Sequence, residues 1–149
     1  MLRFRRMTKD DLTATLEVRL STVENAITLE VMERDYGVTP EKIATAMDGN
    51  VAGWLCEEAG QVLGYAMGNE ANGEVLVVAV HPELERHGVG AGVLAHVADW
   101  LFEHGHDRIW LLSNPDASNR TYGFYRHLGW KPTGEMRGDD EVLELVRGD

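Results

Sequence analysis

Apolar and polar positions along this chain follow two periods, one helical and one of strands. Residues 2–7 (LRFRRM) alternate apolar and polar, which predicts an edge or half-buried strand. Thr8, followed by Asp10 and Asp11, marks a helix start with acids in its first turn. Leu12, Leu16 and Leu20 recur every four residues, with Val23 next on that face, so this helix is expected to end near residues 24–25. A second helical stretch covers residues 27–34 and breaks at Tyr36-Gly37. Thr39-Pro40-Glu41 joins an N-cap to a proline at the first helical position. The short helix that follows runs through Ile43, Ala44 and Met47 and stops at Asp48-Gly49-Asn50.

Strand patterns dominate next. Residues 54–58 and 62–68 flank Glu58-Ala59-Gly60-Gln61, a hairpin turn with glycine. A polar connection, 69–73, leads to the apolar run 75–80, bounded by Gly73 and Pro82 and rich in β-branched residues. That run predicts a strand buried on both faces and an antiparallel meander of three. After a polar turn, 83–87, come Gly88-Val89-Gly90-Ala91-Gly92 and a helix. Val89, Val93, Val97 and Leu101, with Leu94 and Ala98 alongside, give it a broad apolar face that ends at His104-Gly105. Residues 109–112 form a short buried strand which, reached through a helix, can lie parallel to the one before. A short helix over 118–128, capped by Gly129, precedes a final hairpin of 130–136 and 142–146, with Pro132 placing its strand at an edge.

A length of 149 residues suits one domain with a sizeable core. The net charge of −11, from 14 Lys+Arg against 25 Asp+Glu, argues against nucleic-acid or anionic-membrane binding. It suits an amine acceptor, and it means that an anionic ligand needs a local basic patch. Arg86, His87, Arg120 and Arg126 could supply one. The one cysteine, Cys56, lies in an apolar run and reads as a small core residue. Residues 1–11 carry no apolar signal-peptide core, and no apolar run approaches membrane-spanning length, so a soluble cytoplasmic protein is expected. His104 and His106 lack a third partner at useful spacing, so no metal is expected. A homodimer is compatible with all of this.

The strand, glycine loop and helix start at 74–94 point to chemistry. The first turn of a helix has unpartnered N–H groups and a partial positive charge, which suits a phosphate, and glycines let the backbone come close. A dinucleotide fingerprint fails because Val93 stands at its third glycine; a Walker loop fails because no lysine follows. The loop Glu85-Arg86-His87-Gly88-Val89-Gly90 does resemble the acyl-CoA-binding Arg/Gln-x-x-Gly-x-Gly/Ala segment of the GCN5-related N-acetyltransferases. Glu85 departs from that pattern and is expected to face solvent, away from phosphates. Residues 118–130 resemble the family's second signature: Arg120, Phe124, Tyr125, Leu128 and Gly129 match, Trp130 replaces Phe, and Ser118 stands where Asn is usual. Core packing with a C-cap would explain 118–130 alone; two partial signatures in order favour the family.

The resemblance implies a mixed α/β fold: a mostly antiparallel six- to seven-stranded sheet with helices on both faces. It implies acetyl-CoA held by Gly88, Val89, Gly90, Ala91 and Gly92, with Arg86 and His87 helping. It implies that the strand ending at Val80 splays from the next, so that Val78, Ala79 and Val80 border pantetheine and an N–H near Val78 polarises the thioester. Ser118 or Asn119 would add a pantetheine hydrogen bond. Tyr125 matches the family's acid tyrosine, and Glu74, which Val75, Leu76 and Trp54 would desolvate, occupies the place of a base in histone-type relatives. Their plainer readings are a packed core tyrosine and a solvated strand-end charge. An amine of a small molecule or peptide would attack directly, in an acceptor site over residues 19–31 that includes Glu24 and Asn25, with the loops near 69–73 and 134–140. The alternatives are an acyl-CoA-binding regulatory module without turnover, or a binder of another nucleotide.

Overall fold

The computed structural model describes residues 2–21, 39–81, 88–116 and 120–148, with the backbone alone for Ser21, Arg120 and Thr121. The alternating N-terminal segment forms β1 (Arg3–Arg6), an edge strand antiparallel to β2 (Val51–Glu58). Thr8 starts the helical segment as expected: its N–H donates to Asp11 Oδ2 at 2.8 Å. A single 3₁₀ turn then leads into α1 (Leu12–Ser21). Arg5 forks onto the same Asp11 carboxylate at 2.8 and 2.9 Å, tying β1 to the helix and holding that carboxyl down at about 2. Thr39 caps α2 (Pro40–Met47), its hydroxyl oxygen accepting from Lys42 N–H at 3.1 Å. The end of the first predicted helix and the stretch at 27–34 lie outside the described residues.

Ala59 (φ 52) and Gly60 (φ 81) form a tight turn with both residues left-handed, the twist that a two-residue hairpin requires. It joins β2 to β3 (Gln61–Asn69), and β4 (Glu74–Val80) completes the meander. One expectation fails: β4 is not buried on both faces, because Leu76 is 45% exposed. The cause is a bulge. Gly68 is matched with Val75 and Met67 with Val77, so Leu76 has no partner and the alternation slips by one residue. Val75, Val78 and Val80 consequently share one core, while Val77 and Ala79 face the other.

The first core lies under α3 (Val89–Glu103), whose predicted stripe of Val89, Val93, Val97 and Leu101 is wholly buried. Each such side chain contributes roughly 1.5–3 kcal/mol. Two glycines set how closely α3 approaches the sheet. A Cβ on Gly64 would meet Val89 Cγ1 at 2.7 Å and Ala79 O at 3.0 Å; one on Gly92 would strike the Phe4 ring at 2.3 Å. The second core lies on the opposite face, where α1 and α2 cover Leu55, Tyr65, Met67 and Ala79. Cys56 is fully buried.

After α3 come β5 (Arg108–Ser113), α4 (Arg120–His127) and the hairpin β6 (Lys131–Arg137) and β7 (Asp140–Val146). The seven-stranded sheet runs β1-β2-β3-β4-β5-β7-β6, with Pro132 on its outer strand. Every pairing is antiparallel except β4–β5. No helix among the described residues is long and apolar enough to cross a membrane.

Candidate functional site

The parallel pair β4–β5 touches in register at one point, Glu74 with Trp110, supported by Trp110 N–H donating to Gly73 O at 3.0 Å. Beyond it the strands part. β5 keeps its other edge on β7 along its full length, and β4 keeps its other edge on β3. The facing edges therefore carry backbone groups with no ladder partner. His81 N–H donates to Leu63 O at 2.8 Å, which fixes the phase of the antiparallel ladder. Because such bonds alternate, Val77 and Ala79 face β3, whereas the N–H and C=O groups of Val78 and Val80 turn toward β5. Val78 and Val80 thus border the split. Ala79 does not, since its backbone groups belong to β3 and its side chain to the α1 core.

The split leads to the start of α3. Gly88 is its N-cap in a left-handed conformation (φ 82, ψ 1), and among the described residues no atom beyond its chain neighbours and its own helix lies within 4 Å of where a Cβ would stand. The N–H groups of Val89, Gly90 and Ala91 precede the first intrahelical bond, Gly92 N–H to Gly88 O at 3.0 Å, and have no hydrogen-bond partner among the described residues. Gly92 differs from them: its N–H is spent in the helix and its Cα packs on Phe4. Gly90 keeps its N–H outward, but its Cα faces Phe124 Cζ and Val80 Cγ2, each 3.2 Å from an added Cβ. Close packing of α4 on α3 is a second reason for glycine there.

That packing brings α4 to the mouth of the split. Tyr125 is buried beside Phe124 and Trp130, ring centroids 5.1 and 6.2 Å away, and burial pushes its phenol well above the ordinary range. Arg126, a candidate for the basic patch, is committed elsewhere. It forks onto Glu141 at 2.8 and 2.9 Å and lies 3.7 Å from the Tyr122 ring centroid. On β5, Ser113 is buried on the side of Ile109 and Leu111; among the described residues its hydroxyl is the buried side-chain polar atom without a hydrogen-bond partner. Its signal in the sequence was a hydroxyl closing an apolar strand.

Glu74 lies at the closed end of the split. Burial raises its carboxyl, with Asn72 and Arg137 pulling it back in part. Trp54 does not contribute, contrary to expectation. It stacks on His96 at 6.3 Å and lies near Trp100 at 5.8 Å, and its register partners are Arg6 and Ala66, well along the strands from Glu74. Trp110 is the aromatic neighbour instead, its indole N–H donating to Asn72 O at 3.0 Å. As register partners on adjacent strands, Glu74 and Trp110 present side chains to the same face. A cleft of about 320 Å³ opens over β5, β7 and β6, lined by Arg108, Trp110, Thr133, Glu135, Arg137, Val142 and Glu144; it shares Trp110 with this pair, and Glu74 is not part of its lining. The sequence does not single out Trp110 and covers Arg137 only as part of the 134–140 loop, because their meeting depends on the β5–β7–β6 register. His104 and His106 bind the 69–73 loop through Glu70: His104 Nε2 to its carboxylate at 2.9 Å, and His106 Nε2 to its carbonyl. No cluster fit for a metal occurs among the described residues. Glu24, Asn25, Arg86, His87, Ser118 and Asn119 lie outside the described residues, as does the Arg120 side chain.

The family model described as Acetyltransferase (GNAT) matches residues 18–130. No curated protein matches in sequence. Among solved structures, PaiA N-acetyltransferase from Thermoplasma acidophilum, in complex with coenzyme A, superposes with a TM-score of 0.80 at 16% identity, over 98% of this chain and 99% of that one. A GNAT-family acetyltransferase from Staphylococcus aureus Mu50 gives 0.75 at 15% identity, over 98% and 99%. The ribosomal-protein-S18-alanine N-acetyltransferase from Escherichia coli gives 0.73 at 16%, over 98% and 94%.

Proposed function

The chain belongs to the GNAT acetyltransferase family, and from that premise we propose that it is an acetyl-CoA-dependent N-acetyltransferase that transfers the acetyl group to a primary amine of a small molecule or peptide by direct attack. The observation that carries this reading is the β4–β5 split, with the N–H groups of Val78 and Val80 turned into it and the open N–H groups of α3 at its mouth. A pantetheine chain fits such a split as an added strand, and a pyrophosphate fits the helix start. Arg86, His87, Ser118 and Asn119 would assist, and Glu24 and Asn25 would touch the acceptor.

Bound acetyl-CoA supplies an acetyl thioester with a thiol leaving group. The Val78 N–H donates toward the carbonyl oxygen and stabilises the charge that grows there. Glu74, its carboxylate partly desolvated, takes a proton through water from the acceptor ammonium, and the neutral amine so formed attacks the carbonyl carbon. Tyr125 donates a hydrogen bond at the departing sulfur.

The test is thiol release from acetyl-CoA with a panel of amines and peptides. Binding without amine-dependent release would make the chain a CoA-binding module. Glu74 adds a pH signature. Its base form is lost as pH falls through its folded pKa, and burial raises that pKa, so the acid limb of kcat/KM should lie above the usual carboxylate value of ~4.3. Glu74→Gln should remove that limb and lower the plateau by about 10²-fold. Because a raised carboxyl pKa favours the folded state at low pH and costs stability above it, the Gln variant should melt no lower at pH 7. A variant with the wild-type limb would exclude Glu74 as the base.

A further inference from the structure

The cleft over β5, β7 and β6 is linked to Glu74 through Trp110, its register partner, and through Arg137, whose charge acts on the Glu74 carboxyl. Its base is Trp110, and the Arg137 guanidinium lies 4.4 Å from that ring centroid, a cation–π contact that holds the fork in place. Arg137 also approaches Glu135, but at 3.6 Å, beyond a hydrogen bond, and both side chains are half-exposed. Among the described residues Arg137 therefore has no carboxylate within hydrogen-bond distance, and its donors suit a planar carboxylate. Arg108 is less available, because its Nε lies 3.1 Å from Glu144 Oε2.

We propose, resting on the acetyltransferase reading above, that this cleft binds the carboxylate of the acceptor through Arg137, so that the preferred acceptor is a free amino acid. A zwitterion held by Arg137 within the cleft can direct its ammonium toward Glu74, the carboxylate on which the Arg137 charge acts. Glu135 and Glu144 balance Arg108 and Arg137 on the cleft walls, so neither a polyanion nor a polycation is favoured. The net charge of −11 would repel an anionic amine at long range, whereas a zwitterion arrives unhindered and is selected locally. A volume of about 320 Å³ is at the small end for ligand sites, of amino-acid rather than polymer scale.

The test compares the twenty L-amino acids with their carboxamides as acceptors, in the wild type and in Arg137→Gln. The wild type should favour the best amino acid over its carboxamide by about 10- to 100-fold in kcat/KM, mostly through KM, from one charge-assisted fork. Arg137→Gln should erase most of that preference. Carboxamides accepted as well as acids, or a preference kept by the variant, would overturn the proposal and leave the acetyltransferase reading intact. Calorimetric binding of the same amino acids and carboxamides, with CoA present, reads the carboxylate dependence without turnover. If acetyl-CoA binds and no amine is acetylated, the reaction falls, and this binding measurement still decides the role of Arg137.

Discussion

Tyr125→Phe is expected to lower kcat by about 10²–10⁴-fold and to leave acetyl-CoA binding largely intact. Phe keeps the ring, so the edge contacts with Phe124 and Trp130 survive and the fold should be unaffected. What goes is a proton donor that burial keeps neutral at all working pH values. A phenol pKa above that of the departing thiol, ~8.5, makes full proton transfer uphill. The hydroxyl therefore helps mainly by a hydrogen bond to the sulfur as charge develops. The penalty should then shrink with an acyl donor whose thiol is much more acidic. An unchanged kcat with acetyl-CoA, measured where chemistry limits the rate, would make Tyr125 a packing residue.

Loss of acetyl-CoA binding is the effect expected of Gly88→Asp. Gly88 has open space around its Cα among the described residues and is left-handed, a conformation that Asp and Asn tolerate better than other side chains. Aspartate there sets a negative charge beside the open N–H groups of Val89, Gly90 and Ala91, where a pyrophosphate would bind. At a hundred times Kd, acetyl-CoA should raise the wild-type melting temperature by roughly 5–10 °C, and the Asp variant should lose most of that rise. Gly88→Asn, equal in size and uncharged, should keep more of it. Equal shifts in all three proteins would remove the pyrophosphate from this helix start. Gly90 is a poorer probe, because a side chain there meets Phe124 and Val80 before it meets any ligand.

Elements set by local pattern were legible in the sequence. The four-residue repeat of Val89, Val93, Val97 and Leu101, the Thr39-Pro40 start and the Ala59-Gly60 turn each encode their structure within a few residues. What escaped depends on contacts between distant segments. The exposure of Leu76 follows from a bulge, which is a property of the register with β3 rather than of an apolar run. Gly92, within a loop resembling a ligand cradle, is small because Phe4 packs against it from 88 residues earlier. Arg126 counted as a free cation until the fold set Glu141 against it. The strand split came from the family resemblance alone. Nothing in the composition of β4 or β5 says that two strands paired at Glu74 and Trp110 then diverge.

Amide hydrogen exchange along β4, with and without acetyl-CoA, tests that split most directly. Val77 and Ala79 already bond to β3 and should exchange at nearly the same rate in both states. Val78 and Val80 should exchange faster than their neighbours in the free protein and slow markedly when acetyl-CoA binds. Binding that protects other segments and leaves the Val78 and Val80 amides unchanged would contradict the account.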